Sequence, residues 1–245
     1  MIAGQMDEFS DLDLVLAVAP AAVAEVSESR MDIARSLGSL LAGFTGEHVG
    51  EPRLLICLYK EPLLHVDLKF VSVDDFGDRV EDPVVLWERD SALTRAMGAR
   101  PAVFPMPDAQ WIEDRFWVWV HYAATKLGRG ELFEVIDFIA FLRLQVLGPM
   151  AAVSKGHLPR GVRKLEQNLP EHVPAFDRTL AARQPESCAA ALFAAIELYR
   201  DLRDAAAAAT VIRRSEAEFE ATAYLGAVAR RAAAGRPVTD GRAGR

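Results

Sequence analysis

The stretch DLDLVLAVA, residues 11–19, alternates acidic and apolar side chains, then becomes wholly apolar until Pro20 stops it. Such alternation is the pattern of a strand entering a buried sheet. Alternate strand residues share a face. Asp11 and Asp13 therefore lie side by side, while Leu12 and Leu14 point the other way, into a core. Two ionised carboxylates held that close repel each other. A cation is the usual compensation, and Mg²⁺ takes such oxygen ligands together with substrate phosphates.

A third carboxylate has the same setting. In HVDLKF, Asp67 stands between Val66 and Leu68 and projects from the face opposite to them. On a neighbouring strand it completes a site for one or two metal ions. Such a site activates a hydroxyl and holds a triphosphate for in-line attack at phosphorus. An isolated Asp-x-Asp pair is commonly a solvated feature. This pair is set apart by its apolar strand, by Ser10 before it and by the apolar-flanked Asp67. His65 shares the Asp67 face and reads as a half-exposed strand histidine beside the site. Asp74, Asp75 and Asp78 read as solvated surface.

The rest of the chain falls into two characters. Met31, Ile33, Leu37, Leu40 and Leu41 recur at helical spacing, which predicts a helix over 28–44. PRLLICLY (52–59) and LLHVDLKFVS (63–72) predict a hairpin, and PVVLW (83–87) a further short strand. Three prolines in 98–108 exclude a helix interior and mark a linker. Beyond it, 109–127, 131–147, 186–209 and 215–233 read as helices, with a shorter one near 161–168. The expectation is an α+β protein: a small mixed sheet domain over 1–108, a helical bundle over 109–233 and a disordered tail over 234–245.

Charge follows the same division. Residues 1–110 hold 9 Lys+Arg against 19 Asp+Glu, and the remainder holds 19 against 16. An acidic region suits divalent cations or a cationic substrate, and no long basic stripe points to nucleic acid. Two cysteines, Cys57 and Cys188, form no metal-spaced or redox motif. With a polar N-terminus and no apolar run reading as long enough to span a bilayer, the expectation is a cytoplasmic protein.

AGQMDEFSDLDLVLAV (3–18) resembles the second half of the active-site motif of the DNA polymerase β-like nucleotidyltransferase superfamily. There a glycine-serine or glycine-glycine pair precedes Ser-Asp-x-Asp in a strand. Gly4, Asp7, Ser10, Asp11 and Asp13 match its later part, and LLHVDLKFV resembles the strand carrying the third carboxylate. The resemblance implies that Asp11 and Asp13 bind Mg²⁺, that Asp67 completes the metal site or acts as general base, and that Ser10 belongs to the nucleotide site. FWVWVHYAATKLGRGELFEVIDFIAFLR (116–143) is similar to the helical region of bacterial aminoglycoside and lincosamide nucleotidyltransferases. That implies a triphosphate contact for Lys126, places Arg129 and Glu131 at the nucleotide or acceptor cleft, and has the helical region form the acceptor pocket.

The implied reaction moves a nucleoside monophosphate from an NTP, ATP first, to a hydroxyl of a small molecule such as an aminoglycoside. The superfamily's glycine-serine turn, an anion-binding element, does not appear in the chain. A missing upstream segment or a degenerate, non-catalytic nucleotide-binding or interaction module each account for that. The hazard of an exposed sheet edge favours the former. A phosphatase of the haloacid dehalogenase type is a weaker reading: Val15 suits its Asp-x-Asp-x-Thr/Val pattern, but the small-residue turn after the strand is missing.

Overall fold

The computed structural model describes residues 6–205 and 211–234. The chain divides into two compact units between Phe104 and Pro105. The first holds a four-stranded mixed sheet and the second is helical, an α+β arrangement.

In the first unit, β1 (Leu12–Val18) leads through α1 (Val23–Ser36) to β2 (Leu40–Gly46), β3 (Glu51–Tyr59) and β4 (Leu64–Ser72). The sheet order is β1-β4-β3-β2. β1 runs parallel to β4, and the two remaining pairs are antiparallel. A parallel neighbour needs a crossover, and here α1, β2 and β3 together supply it. Leu12, Leu14 and Leu16 of β1, Val66, Leu68 and Phe70 of β4, and Leu55, Cys57 and Tyr59 of β3 share one face. They pack with Ala34, Met31 and Ile33 of α1. The Tyr59 hydroxyl donates to the Ala34 carbonyl at 2.7 Å, which fixes α1 on the sheet.

Three sequence expectations change here. Asp11 lies one residue before β1, not inside it. The helix expected over 28–44 runs over Val23–Ser36, and Leu40, Leu41 and Phe44 belong to β2. LLAGFTG carries two glycines, poor in a helix interior. Gly46 also needs the strand's tight closure, because a Cβ there would sit 2.7 Å from the Glu51 carbonyl. The segment 83–87 pairs with no strand among the described residues, and its Val84, Leu86 and Trp87 are exposed. A helix, α2 (Ala92–Ala99), follows it.

The second unit begins with α3 (Ala109–Arg129). The Asp108 carboxylate accepts from the Trp111 amide at 2.9 Å as N-cap, and Gly130, at φ 74°, ends the helix. One apolar rod follows: α4 (Leu132–Leu142), a π-helical turn over Arg143–Leu147 and α5 (Gly148–Ser154). Only glycine fits at 148, where a Cβ would lie 2.3 Å from the Gly161 carbonyl oxygen. The apolar run is longer than the sequence reading held. By length and composition Leu132–Ser154 is enough to cross a bilayer, but 56% of its apolar window is buried, as in a core helix. Short helices α6 (Leu165–Asn168) and α7 (Val173–Asp177) lead to α8 (Pro185–Ala205) and α9 (Ser215–Ala233). The expected continuation of α8 through 206–209 and the tail beyond 234 lie outside the described residues.

The core of this unit contains a charged centre. Glu113 is wholly buried, and it accepts from the Tyr199 hydroxyl at 2.6 Å, the Arg214 amide at 2.8 Å, the Trp117 indole at 3.1 Å and the Arg203 guanidinium at 3.2 Å. Burial pushes its carboxyl pKa up, but these four donors outweigh burial and hold it below the ordinary value. Arg203 also pairs with Glu218 of α9 at 2.9 Å. One carboxylate thus ties α3, α8 and the start of α9 together. Glu113→Ala leaves Arg203 buried with less compensation and strands three further donors. The variant is expected to lose about 3–5 kcal/mol, read from urea unfolding followed by far-UV circular dichroism.

Candidate active site

The parallel register sets the site. Asp13 of β1 lies directly opposite Asp67 of β4, as Leu12 lies opposite Val66 and Leu14 opposite Leu68. In-register residues of neighbouring strands point to the same side. The two carboxylates therefore sit on the face opposite the α1-packed core, because their neighbours are inside it. Asp13 is exposed and the Asp67 side chain keeps 23% of its surface. Asp11 is exposed one residue before the strand.

Ser10 is held in a compact turn. Its hydroxyl accepts from the Asp7 amide at 2.9 Å and donates to Asp7 Oδ1 at 3.0 Å. The same Oδ1 accepts from the Phe9 amide at 3.0 Å. This turn delivers the chain to Asp11 with a defined direction and explains locally why serine precedes the pair. Gly4, matched to the same motif in the sequence, lies outside the described residues.

His65 sits two residues before Asp67 on the same face, and its Nε2 lies 2.8 Å from Asp67 Oδ1. One oxygen of Asp67 is thereby engaged. Lys69, two residues further along that face, is drawn away by Glu51, 2.7 Å from its Nζ. Arg53 grips the same carboxylate at 2.7 Å. The Arg53 hydrogen bond first, and Lys69 after it, hold the Glu51 pKa down to about 2 against the effect of burial.

Three oxygen-bearing groups near one another are the donors that a hard divalent cation takes. In kind the residues fit Mg²⁺, and the Asp13–Asp67 register brings two of them together. As the side chains stand, no group of three or more His, Cys, Asp or Glu closes on one point among the described residues.

Lys126, Arg129 and Glu131 lie in the helical unit, around the junction of α3 and α4. The Lys126 ammonium is 2.9 Å from Glu131 and 2.9 Å from Glu134. The Tyr122 hydroxyl donates to Glu134, and the Lys126 ammonium lies 5.1 Å from the centre of the Tyr122 ring. The hydrogen bonds to Glu131 and then Glu134 push the Lys126 pKa up. Lys126 and Glu131 are thus brought together, and Arg129 stands exposed at the helix end. Glu134 and Tyr122 were no part of the sequence reading of this cluster. Their signal was present: Glu134 and Lys126 lie one turn to either side of the Gly130 break.

No family model matches the chain, and no curated protein matches it. Among solved structures it is similar to the crystal structure of an aminoglycoside 6-adenyltransferase from Bacillus subtilis. The identity is 16% and the TM-score 0.44, over 90% of this chain and 89% of that one. At that distance the likeness decides neither the fold nor the chemistry of this protein.

The electrostatics beside the carboxylates give a pH prediction. The folded pKa of Glu51, about 2, lies below its ordinary 4.5. A depressed carboxylate stabilises the fold above its unfolded pKa, and that contribution is lost as pH falls through the folded value. Glu51→Gln is therefore expected to melt lower than wild type near neutral pH. The gap should close between about pH 4.5 and 2 in a series of melting curves.

Proposed function

We propose that the chain is a nucleotidyltransferase, moving a nucleoside monophosphate from an NTP, ATP first, to a hydroxyl of a small molecule. The observation that carries the reading is the register of Asp13 on Asp67 across two parallel strands, with Asp11 exposed one residue before the first of them. The motif in residues 7–18 resembles the polymerase β-like superfamily at Asp11 and Asp13, and LLHVDLKFV resembles its third-carboxylate strand at Asp67.

Asp11, Asp13 and Asp67 would hold Mg²⁺. When bound, Mg²⁺ neutralises the triphosphate and favours the ionised form of the attacking hydroxyl. Asp67 has a second role open to it. His65 engages one of its oxygens, leaving the other as the general base for the acceptor hydroxyl. The acceptor oxygen then forms its bond to the α-phosphorus as the bond to the bridging oxygen of pyrophosphate breaks. Ser10 fixes the approach of the chain to the site through Asp7. Lys126 is engaged by Glu131 and Glu134, and we assign it to holding α3 against α4. The acidic balance of residues 1–110 favours a cationic acceptor such as an aminoglycoside. The buried, unpaired thiols Cys57 and Cys188 suit a reducing, cytoplasmic setting.

A second reading is a nucleotide-binding module without turnover. It is favoured by the carboxylates that, as they stand, close on no common point.

The test is transfer of label from α-labelled ATP, with Mg²⁺, to a panel of hydroxylated and aminated acceptors. The enzyme reading expects labelled acceptor with release of pyrophosphate. Asp13→Asn and Asp67→Asn should each lower the rate by at least about 100-fold with unchanged melting temperature. ATP binding without transfer to any acceptor would leave the module. A chain that binds neither Mg²⁺ nor ATP sinks both readings.

A further inference from the structure

The carboxylates occupy half of a sheet face whose other half is apolar. Along one row across the strands, Asp13 is in register with Asp67, Asp67 with Ile56, and Ile56 with Phe44. In the adjoining row His65 is in register with Leu58, and Leu58 with Ala42. Phe44 is 53% exposed and Leu58 38%, and Ala42 is exposed too. The inner face of the same strands is packed on α1, so this is a deliberate contrast between faces and not a poorly covered core. The Phe44 ring is braced by His48, with ring centroids 5.6 Å apart.

We infer that Ile56, Leu58 and Phe44 form the seat of the nucleobase of the NTP whose phosphates the aspartates receive. The inference rests on the nucleotidyltransferase reading above. Neighbouring strands are about 4.8 Å apart, which puts Ile56 about 7 Å and Phe44 about 12 Å from the midpoint of Asp13 and Asp67. That is the reach of a ribose followed by a base, measured from the α-phosphate. The row therefore runs in the order phosphate, sugar, base. The strip of Ala42, Phe44, Ile56 and Leu58 carries no polar side-chain atom. It offers nothing to the hydroxyls and ammonium groups of a polar acceptor, which would lose water there uncompensated. A base presents flat π faces, the surface that an exposed phenylalanine and branched aliphatic side chains take.

The test is calorimetric titration of the full chain, in Mg²⁺, with ATP and separately with inorganic tripolyphosphate. Wild type should bind ATP about tenfold or more tighter than tripolyphosphate. Phe44→Ser and Leu58→Ser should each weaken ATP, within about five- to hundredfold, and leave tripolyphosphate unchanged. Both substituted side chains are exposed, and melting temperatures check that the fold is kept. Equal wild-type affinity for ATP and tripolyphosphate overturns the base seat alone, as do variants that bind ATP like wild type. So does a parallel loss of both ligands. Retained ATP affinity with dissociation of a dimer in sedimentation would make the strip a contact between copies, and the inference false. Binding of neither ligand by wild type removes the nucleotide reading and the base seat with it.

Discussion

The pairing of β1 with β4 is the constraint on which the first unit depends. Its register puts Leu12, Leu14 and Leu16 against Val66, Leu68 and Phe70 on one side. The same register, with no further choice, puts Asp13 opposite Asp67 on the other. A one-residue slip of β1 would turn Asp13 toward the core and Leu12, Leu14 and Leu16 away from it, because strand side chains alternate. The hydrophobic core thus locates the carboxylates. Folding and the candidate chemistry are read from the same seven residue pairs, and the energy that fixes the site is the burial of its apolar neighbours.

How much of this was legible follows from the range of each interaction. The β1 pattern, the hairpin of β3 and β4 and the helix over 215–233 are local periodicities, and each is plain in the sequence. The neighbourhood of Asp13 and Asp67 was inferred from matching patterns 54 residues apart in the chain, but only the crossover through α1, β2 and β3 fixes that the strands are adjacent and parallel. The helix expected over 28–44 ends at Ser36, although Leu40, Leu41 and Phe44 keep a helical spacing beyond it. Two glycines and a partner strand at 51–59 make that stretch a strand. Glu113 and Arg203 were invisible for a different reason. They are 90 residues apart, and nothing in either helix's own pattern requires a charge there.

The two units handle buried and exposed acids in opposite ways. In the helical unit the carboxylate of Glu113 is given four donors, one of them the Arg203 guanidinium, so its charge is compensated inside the protein. The Lys126 cluster follows the same rule at the surface, with two carboxylates around one ammonium. In both places each charge has a group of opposite sign within the helical unit.

The sheet face is arranged differently. The cation nearest to the aspartates along β4 is Lys69, and Glu51 takes it. Arg53, which also approaches Glu51, is spent on the same carboxylate. Asp67 is left with an imidazole at one oxygen. Glu51 thus holds one cation from β3 and one from β4. Bringing two carboxylates into register costs energy that a cation would offset. Asp13 stays exposed on this face, in register with Asp67. That register, beside the apolar strip that β3 and β2 carry on the same sheet face, is what the proposed site rests on: a cation-bridged end and an apolar end.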